Sequence, residues 1–244
     1  IGYNTKILPI KVQDDAATGS MTGYPGITYA ADMGCKVINC SWGANGYISS
    51  AMQDVIDYAY AKGALVVGGA GNSVIDNDVQ PFTPSSLNHV LSVSSQEPDG
   101  TASNWAALGS SVHVFAPGKD VLAARMSFGY QTVTGTSFAA PMMSGLAALI
   151  FSIHPDWTPA QVLKQIRVTS ESFSATRNPD FYGRPNAMKA LTMNNTMSDI
   201  PGLMISSTTI STSQGDIFTA PGQTAQISVE LTNVLAPTSA AASL

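Results

Sequence analysis

The sequence predicts a three-layer α/β fold, a mainly parallel sheet between helices, followed by the start of an all-β sandwich module. Three observations carry this. Continuous apolar runs recur at residues 7–12 (ILPIKV), 36–40 (KVINC) and 64–68 (ALVVG), as strands covered on both faces read. Helical patterns lie between them, giving the strand–helix alternation of a parallel sheet. Past residue 192 the helical period disappears, Pro201, Pro221 and Pro237 punctuate the chain, and alternating segments take over.

Taken in order, residues 7–12 form the first predicted strand. Residues 22–33 form a helix around Ile27, Ala30 and Ala31, stopped by Gly34. After the strand at 36–40, Ser49 or Ser50 caps a second helix. Its apolar face, Met52, Val55, Ile56 and Ala59, has the i, i+3, i+4, i+7 spacing. Gly63 ends it. Strands are predicted at 64–68, 90–94, 112–115 and 131–134. A long helix spans 136–152 and stops at His154-Pro155. Thr158 as cap, with Pro159 at the first helical position, opens another helix to about Thr169. Residues 186–191 make a last short helix. Residues 208–212 and 224–232 alternate as half-buried strands do, with a turn at 221–223 (PGQ). The boundaries are a first domain at 1–192, a linker at 193–200, and a partial β-sandwich at 201–244, too short to complete one.

Composition narrows the function. Charged residues are only 11% of the 244, against a typical ~25%. The surface is therefore built largely from Ser, Thr, Asn, Gln and Gly, as in secreted proteins. Net charge is −5 and the 11 Lys and Arg are spread thinly, so the basic stripe of a nucleic-acid binder is absent. No uninterrupted apolar run reaches ~18 residues, so no membrane span is expected. Cys35 and Cys40 fit no metal-binding spacing and are expected as two reduced thiols. Asp76-Asn77-Asp78 lacks the rest of a calcium loop and is expected to be a solvated loop. Asn194-Asn195-Thr196 matches a glycosylation acceptor, a pattern common by chance.

Ser137 stands at the mouth of the long helix, among Gly135, Ala139 and Ala140. Such a position offers unpaired N–H groups and the positive end of the helix dipole. Serine before a helix is more often a plain cap. The full string Gly135-Thr136-Ser137-Phe138-Ala139-Ala140-Pro141, however, resembles the G-T-S-x-A-x-P nucleophile motif of the subtilisin-like serine proteases. Residues 64–72 (ALVVGGAGN) and 37–43 (VINCSWG) are similar to two further motifs of that family. So are Ala116-Pro117-Gly118, His154-Pro155-x-Trp157-Thr158 and the stretch 183–191. The resemblance covers roughly residues 1–192 and identifies the chain as a member of this family, with a subtilisin-like fold.

The resemblance implies specific roles. Ser137 would attack a scissile carbonyl, and its own N–H and the Asn72 side chain would hold the oxyanion, with Thr136 assisting. Ser41, Trp42 and Gly43 would pair with the substrate as an added strand. Gly69, Ala70 and Gly71 would wall the primary specificity pocket, their small size leaving it open to large apolar or aromatic side chains, and Pro84 would form its floor. On the residues alone Asn72 reads as a turn residue and Trp42 as a core aromatic. No cofactor is implied for the chemistry, and structural calcium is left open. The implied partners are polypeptide substrates, with no nucleic acid and no membrane span; a secreted or cell-surface monomer is expected.

An activated serine needs a base, and the base an orienting carboxylate. The family's D-[ST]-G and H-G-T-H motifs are absent. His89, His113 and His154 lie in other contexts and are expected to be structural or on the surface. Asp14 and Asp15 lack a glycine partner. Residues 1–6 resemble the family's segment just after its catalytic histidine, so base and acid are expected upstream of Ile1. The chain itself is expected to be close to inactive. Two other serine-enzyme classes are disfavoured: the esterase elbow G-x-S-x-G and the S-x-x-K motif do not occur. The remaining alternative is an inactive pseudoprotease that keeps the peptide cleft.

Overall fold

The computed structural model describes residues 2, 4–13, 23–125, 128–175, 178–193, 203–212 and 225–234. The chain divides into two compact units, Ile1–Met193 and Asn194–Leu244. Asp14, Asp15, residues 194–200 of the expected linker, with the Asn194 acceptor, and the expected turn at 221–223 lie outside the described residues.

The first unit opens with α1 (Gly23–Asp32), β1 (Val37–Cys40), β2 (Ala44–Asn45), α2 (Ser50–Ala61) and β3 (Leu65–Gly69). Ser49 caps α2 by accepting the Met52 N–H at 3.2 Å. Gly63, at φ +81°, turns the chain out of α2 where a side chain would be strained. Then come β4 (Phe82–Thr83), β5 (Val90–Gln96), β6 (Val114–Pro117), β7 (Val121–Ala124) and β8 (Tyr130–Val133). The long helix α3 (Thr136–Ile153) follows, then α4 (Pro159–Val168), β9 (Glu171–Ala175), β10 (Asn178–Arg184) and α5 (Ala187–Thr192). Thr158 and Gln161 close a full capping box on α4.

The main sheet has the order β1-β3-β5-β6-β10-β9. Its pairs are parallel except β9 with β10. Strand alternation sends side chains to two cores. Leu65, Val67, Leu91, Val93 and Val114 pack with α3, α4 and α5 on one face. Val66, Val90 and Ile38 pack with Ile27 and Ala31 of α1 and Ile56 and Ala59 of α2 on the other. Helix α3 is long and apolar enough to cross a membrane, but it lies against β1, β3, β5, β6, α4 and α5. Its apolarity serves the core.

Six elements depart from the sequence reading, among them the two-residue strands β2 and β4, which it does not predict. Residues 7–12 are not a strand: Ile10 and Val12 lie against α1, where a Cβ on Gly26 would meet Val12 Cγ1 at 2.8 Å. An apolar run becomes a strand only with a ladder partner, and among the described residues β1 pairs with β3 alone. Strands β7, β9 and β10 were unforeseen: β9 (ESFSA) and β10 (NPDFYGR) carry no apolar run in the sequence, and β7 (VLAA) is apolar but only four residues long. Glu171 secures β9 instead, through Arg184 at 2.7 Å and Asn186 at 2.8 Å. Cys35 and Cys40 are free, and burial pushes the Cys40 thiol up to about 12. In the second unit, β11 (Leu203–Thr212) and β12 (Ala225–Asn233) form an antiparallel pair with an irregularity between Ile205 and Ser207.

Gln165, fully buried on α4, donates from Nε2 to the Ala190 and Met193 carbonyls at 3.0 and 3.1 Å. It thus ties down the end of the unit. Gln165→Leu leaves both carbonyls without this donor and should cost about 2 kcal/mol. Faster amide exchange confined to residues 187–193, with a lower urea midpoint, is the expected result; unchanged exchange there refutes the role.

Candidate functional site

Parallel strands align their carboxyl ends on one edge of a sheet, where α/β proteins place their sites. Here that edge gathers residues 41–43 after β1, Gly69 to Asn72 at the end of β3, Pro117 and Gly118 at the end of β6, and the start of α3. The Gly135 N–H donates to the Gly118 carbonyl at 2.7 Å, fastening the turn before α3 to the end of β6.

Gly135 supplies no side-chain cap to α3. Asn72, 64 residues earlier, does so: its Oδ1 accepts the Thr136 N–H at 2.8 Å and the Thr136 hydroxyl at 2.9 Å. A backbone N–H can only donate, so the atom facing it must be the carboxamide oxygen. This fixes the orientation of Asn72 and leaves Nδ2 pointing away from Thr136. The Thr136 hydroxyl in turn accepts the Gly71 N–H at 3.2 Å. Gly69 makes the closeness feasible, since a Cβ there would stand 3.0 Å from Thr136 Oγ1. Among the described residues neither Asn72 Nδ2 nor the Ser137 N–H has a hydrogen-bond partner, and neither has Ser137 Oγ. Ser137 is half-buried and Asn72 exposed. The edge therefore presents one hydroxyl and two unspent donors.

Pro141 explains a further contact. It has no N–H to give the Ser137 carbonyl four residues earlier, and its ring displaces that carbonyl. The Ser41 hydroxyl donates to it instead, at 2.7 Å. Asn39 Nδ2 donates to Ser41 Oγ at 2.9 Å, and Ser144 donates to Asn39 Oδ1 at 2.9 Å. Asn39 and Ser144 were not singled out in the sequence, because nothing local signals a chain of bonds between β1 and α3.

The other predicted residues divide. Residues 41–43 lie between β1 and β2, outside any ladder. The Trp42 ring packs edge-on against Tyr24, at 5.6 Å between centroids, and over Gly23. Only its backbone can face the edge. The Ala70 side chain is buried with Ala107, Leu108, Val112 and Phe115, so it too offers only backbone. Pro84 is buried and follows a cis peptide bond. Phe82, absent from the sequence reading, lies against both Gly43 and Gly71.

None of the three histidines is placed to serve Ser137. His154 caps the far end of α3, about 25 Å away at 1.5 Å per residue, and stacks on Trp157 at 3.9 Å. His89 and His113 precede β5 and β6, at the opposite edge of the sheet. His89 Nδ1 is 3.0 Å from Asp57 Oδ1, and its ring stacks on Tyr60. His113 Nδ1 accepts the Ser92 N–H at 3.0 Å. Burial of its imidazole, then the charges of Arg167 and Lys164, push its pKa down to about 3. Among the described residues no group of three His, Cys, Asp or Glu could hold a metal. The Asp78 carboxylate accepts the Ser110 N–H and hydroxyl, and Asp76 Oδ1 accepts the Asp78 N–H at 2.9 Å.

Residues 1–216 match the model of the subtilase family, peptidase S8. Thermitase of Thermoactinomyces vulgaris is 33% identical over 186 residues, covering 76% of this chain and 64% of that protein. A thermophilic serine proteinase of Bacillus sp. (strain AK1) is 32% identical over 190 residues, covering 78% of this chain and 46% of its own. The chain thus spans between about half and two thirds of these relatives. Among solved structures, a protease from Pseudoalteromonas arctica is similar with a TM-score of 0.70 and 31% identity, covering 78% of this chain and 63% of that one.

Two outcomes are expected. Ser41→Ala strips the Ser137 carbonyl of its substitute donor and should lower stability by about 1 kcal/mol, read as a shifted urea midpoint; no shift refutes the compensation. His113 titrates near 3 in the fold, against about 6.5 when exposed. As pH falls, the unfolded chain takes up the proton first, so stability drops from about pH 6.5 downward toward 3. His113→Asn keeps an acceptor for Ser92 without a titrating ring. Urea midpoints between pH 7 and 4 should fall less steeply in the variant; parallel slopes refute this.

Proposed function

Because the chain belongs to the subtilase family, we propose that it carries the nucleophile, oxyanion donors and substrate cleft of a serine endopeptidase. One observation supports this above the others: Asn72 is held by its oxygen, so that its Nδ2 and the Ser137 N–H remain as two free donors beside one free hydroxyl. Such donors stabilise charge developing on a carbonyl oxygen without reorganising.

In the proposed reaction a base removes the Ser137 hydroxyl proton as Oγ attacks the scissile carbonyl. The tetrahedral oxyanion accepts from Asn72 Nδ2 and the Ser137 N–H, with Thr136 holding Asn72 in place. Collapse expels the amine, which takes the proton from the base, and water then hydrolyses the acyl-enzyme. The base and its carboxylate are an imidazole and an acid other than His89, His113 and His154. The chemistry needs no metal or organic cofactor. Ser41, Trp42 and Gly43 bind the substrate backbone as an added strand, which their lack of a ladder partner supports. Gly69, Ala70, Gly71 and Pro84 line the adjoining pocket. Polypeptides are the substrates of a secreted or cell-surface monomer. Residues 1–192 form the peptidase part, 193–200 a linker, and 201–244 the start of a β-sandwich appendage, for which the β11–β12 pair is support.

A second reading, an inactive peptide-binding module, is favoured by one fact. Among the described residues Ser137 Oγ has no base within hydrogen-bond reach. A fluorophosphonate probe separates the two, since it labels an activated serine and ignores a helix cap. Labelling of the full-length protein, abolished by Ser137→Ala, is expected. Asn72→Ala should then cut turnover by about 10²–10³, the magnitude known from subtilisin itself. Absent labelling with retained peptide binding supports the binding module.

A further inference from the structure

Small residues on two strand edges ordinarily mean space for a ligand. Here the space beside Gly43 and Gly71 is occupied. A Cβ on Gly43 would overlap Phe82 Cε1, and would stand 2.9 Å from Cζ and 2.5 Å from the Thr83 carbonyl oxygen. A Cβ on Gly71 would stand 3.2 Å from Phe82 Cδ2, 3.3 Å from Cγ and 3.5 Å from Cε2. One side of the ring thus lies on Gly43 and the other on Gly71, so the ring bridges the gap between them.

The backbone that carries the ring is held on both sides. Strands β2 and β4 pair antiparallel, with Asn45 opposite Phe82 and Ala44 opposite Thr83. The Phe82 N–H donates to Ser86 Oγ at 3.0 Å. Its carbonyl accepts the Ser86 N–H and the Ser85 hydroxyl, both at 2.9 Å. Both backbone polar groups are engaged, and Pro84 stands two residues on, after Thr83. Phe82 is half-buried.

We propose that Phe82 is the specificity-determining residue of this cleft, reducing the primary pocket to one that takes small P1 side chains such as alanine or serine. The inference rests on the Ser137 reading above, and it reverses the open pocket expected from the glycines alone. The glycines accommodate the enzyme's own aromatic ring. A substrate phenyl group would need the same volume, and packed interiors do not yield a ring's width without cost.

The test uses full-length protein and two peptide substrates that differ only at P1, alanine against phenylalanine, with Phe82→Leu and Phe82→Ala as variants. Fluorophosphonate labelling of the wild type reports on Ser137 separately. The wild type should favour P1 alanine in kcat/KM by at least about tenfold, the low end for a pocket of the wrong size. The ratio should move toward phenylalanine in Phe82→Leu and further in Phe82→Ala. A labelled wild type that prefers P1 phenylalanine, or a ratio unmoved in both variants, overturns the role of Phe82 and leaves the protease reading standing. A wild type that is neither labelled nor active overturns the Ser137 reading and this inference with it.

Discussion

The amino end of α3 is the constraint on which the rest depends. An 18-residue helix as apolar as this one must be buried, and a helix that starts inside the protein brings orphan N–H groups with it. The local chain offers no cap, because Gly135 has no side chain. Asn72 therefore reaches in from the end of β3, and Thr136 answers with both its N–H and its hydroxyl. The same bonds that satisfy the helix dictate which way the carboxamide points. Capping and the free donor are the two ends of one carboxamide.

A second compensation works alongside it. Pro141 in the second turn of α3 costs the Ser137 carbonyl its helical partner, and Ser41 replaces that partner from across the sheet edge. The residue that holds the Ser137 carbonyl is thus also the first of residues 41–43, which lie outside any ladder. Asn39 and Ser144 extend the chain of bonds back into β1 and along α3. Three elements distant in sequence fix Ser137: the β3 end through Thr136, the β6 end through Gly135, and the β1 end through Ser41.

What could be read beforehand follows from how local each cause is. The caps Ser49 and Thr158 and the apolar faces of α1 and α2 act within a few residues, and the sequence displays them. Strands β3 and β5 are buried on both faces, and in β3 the run is free of polar side chains, while β5 buries Ser92, Ser94 and Ser95 among its apolar residues. The motif around Ser137 was legible as a resemblance. Residues 7–12 misled because a strand also needs a neighbour, which composition cannot supply. The β9–β10 pair was invisible because Glu171 and its partners, not an apolar run, secure it. Asn72 as a cap and Phe82 as a filler were illegible for one reason: each acts on residues far along the chain.

Those separations bear on when the site comes into being. The Asn72–Thr136 contact closes a span of 64 residues and the Ser41–Ser137 contact one of 96. Parallel crossovers of this kind pay their loop-closure entropy before any contact rewards it. Neither bond can therefore form early, in a nascent or half-collapsed chain. The arrangement around Ser137 is therefore among the last to assemble. A partly folded copy has Ser137 without the Asn72 and Ser41 contacts that orient its surroundings.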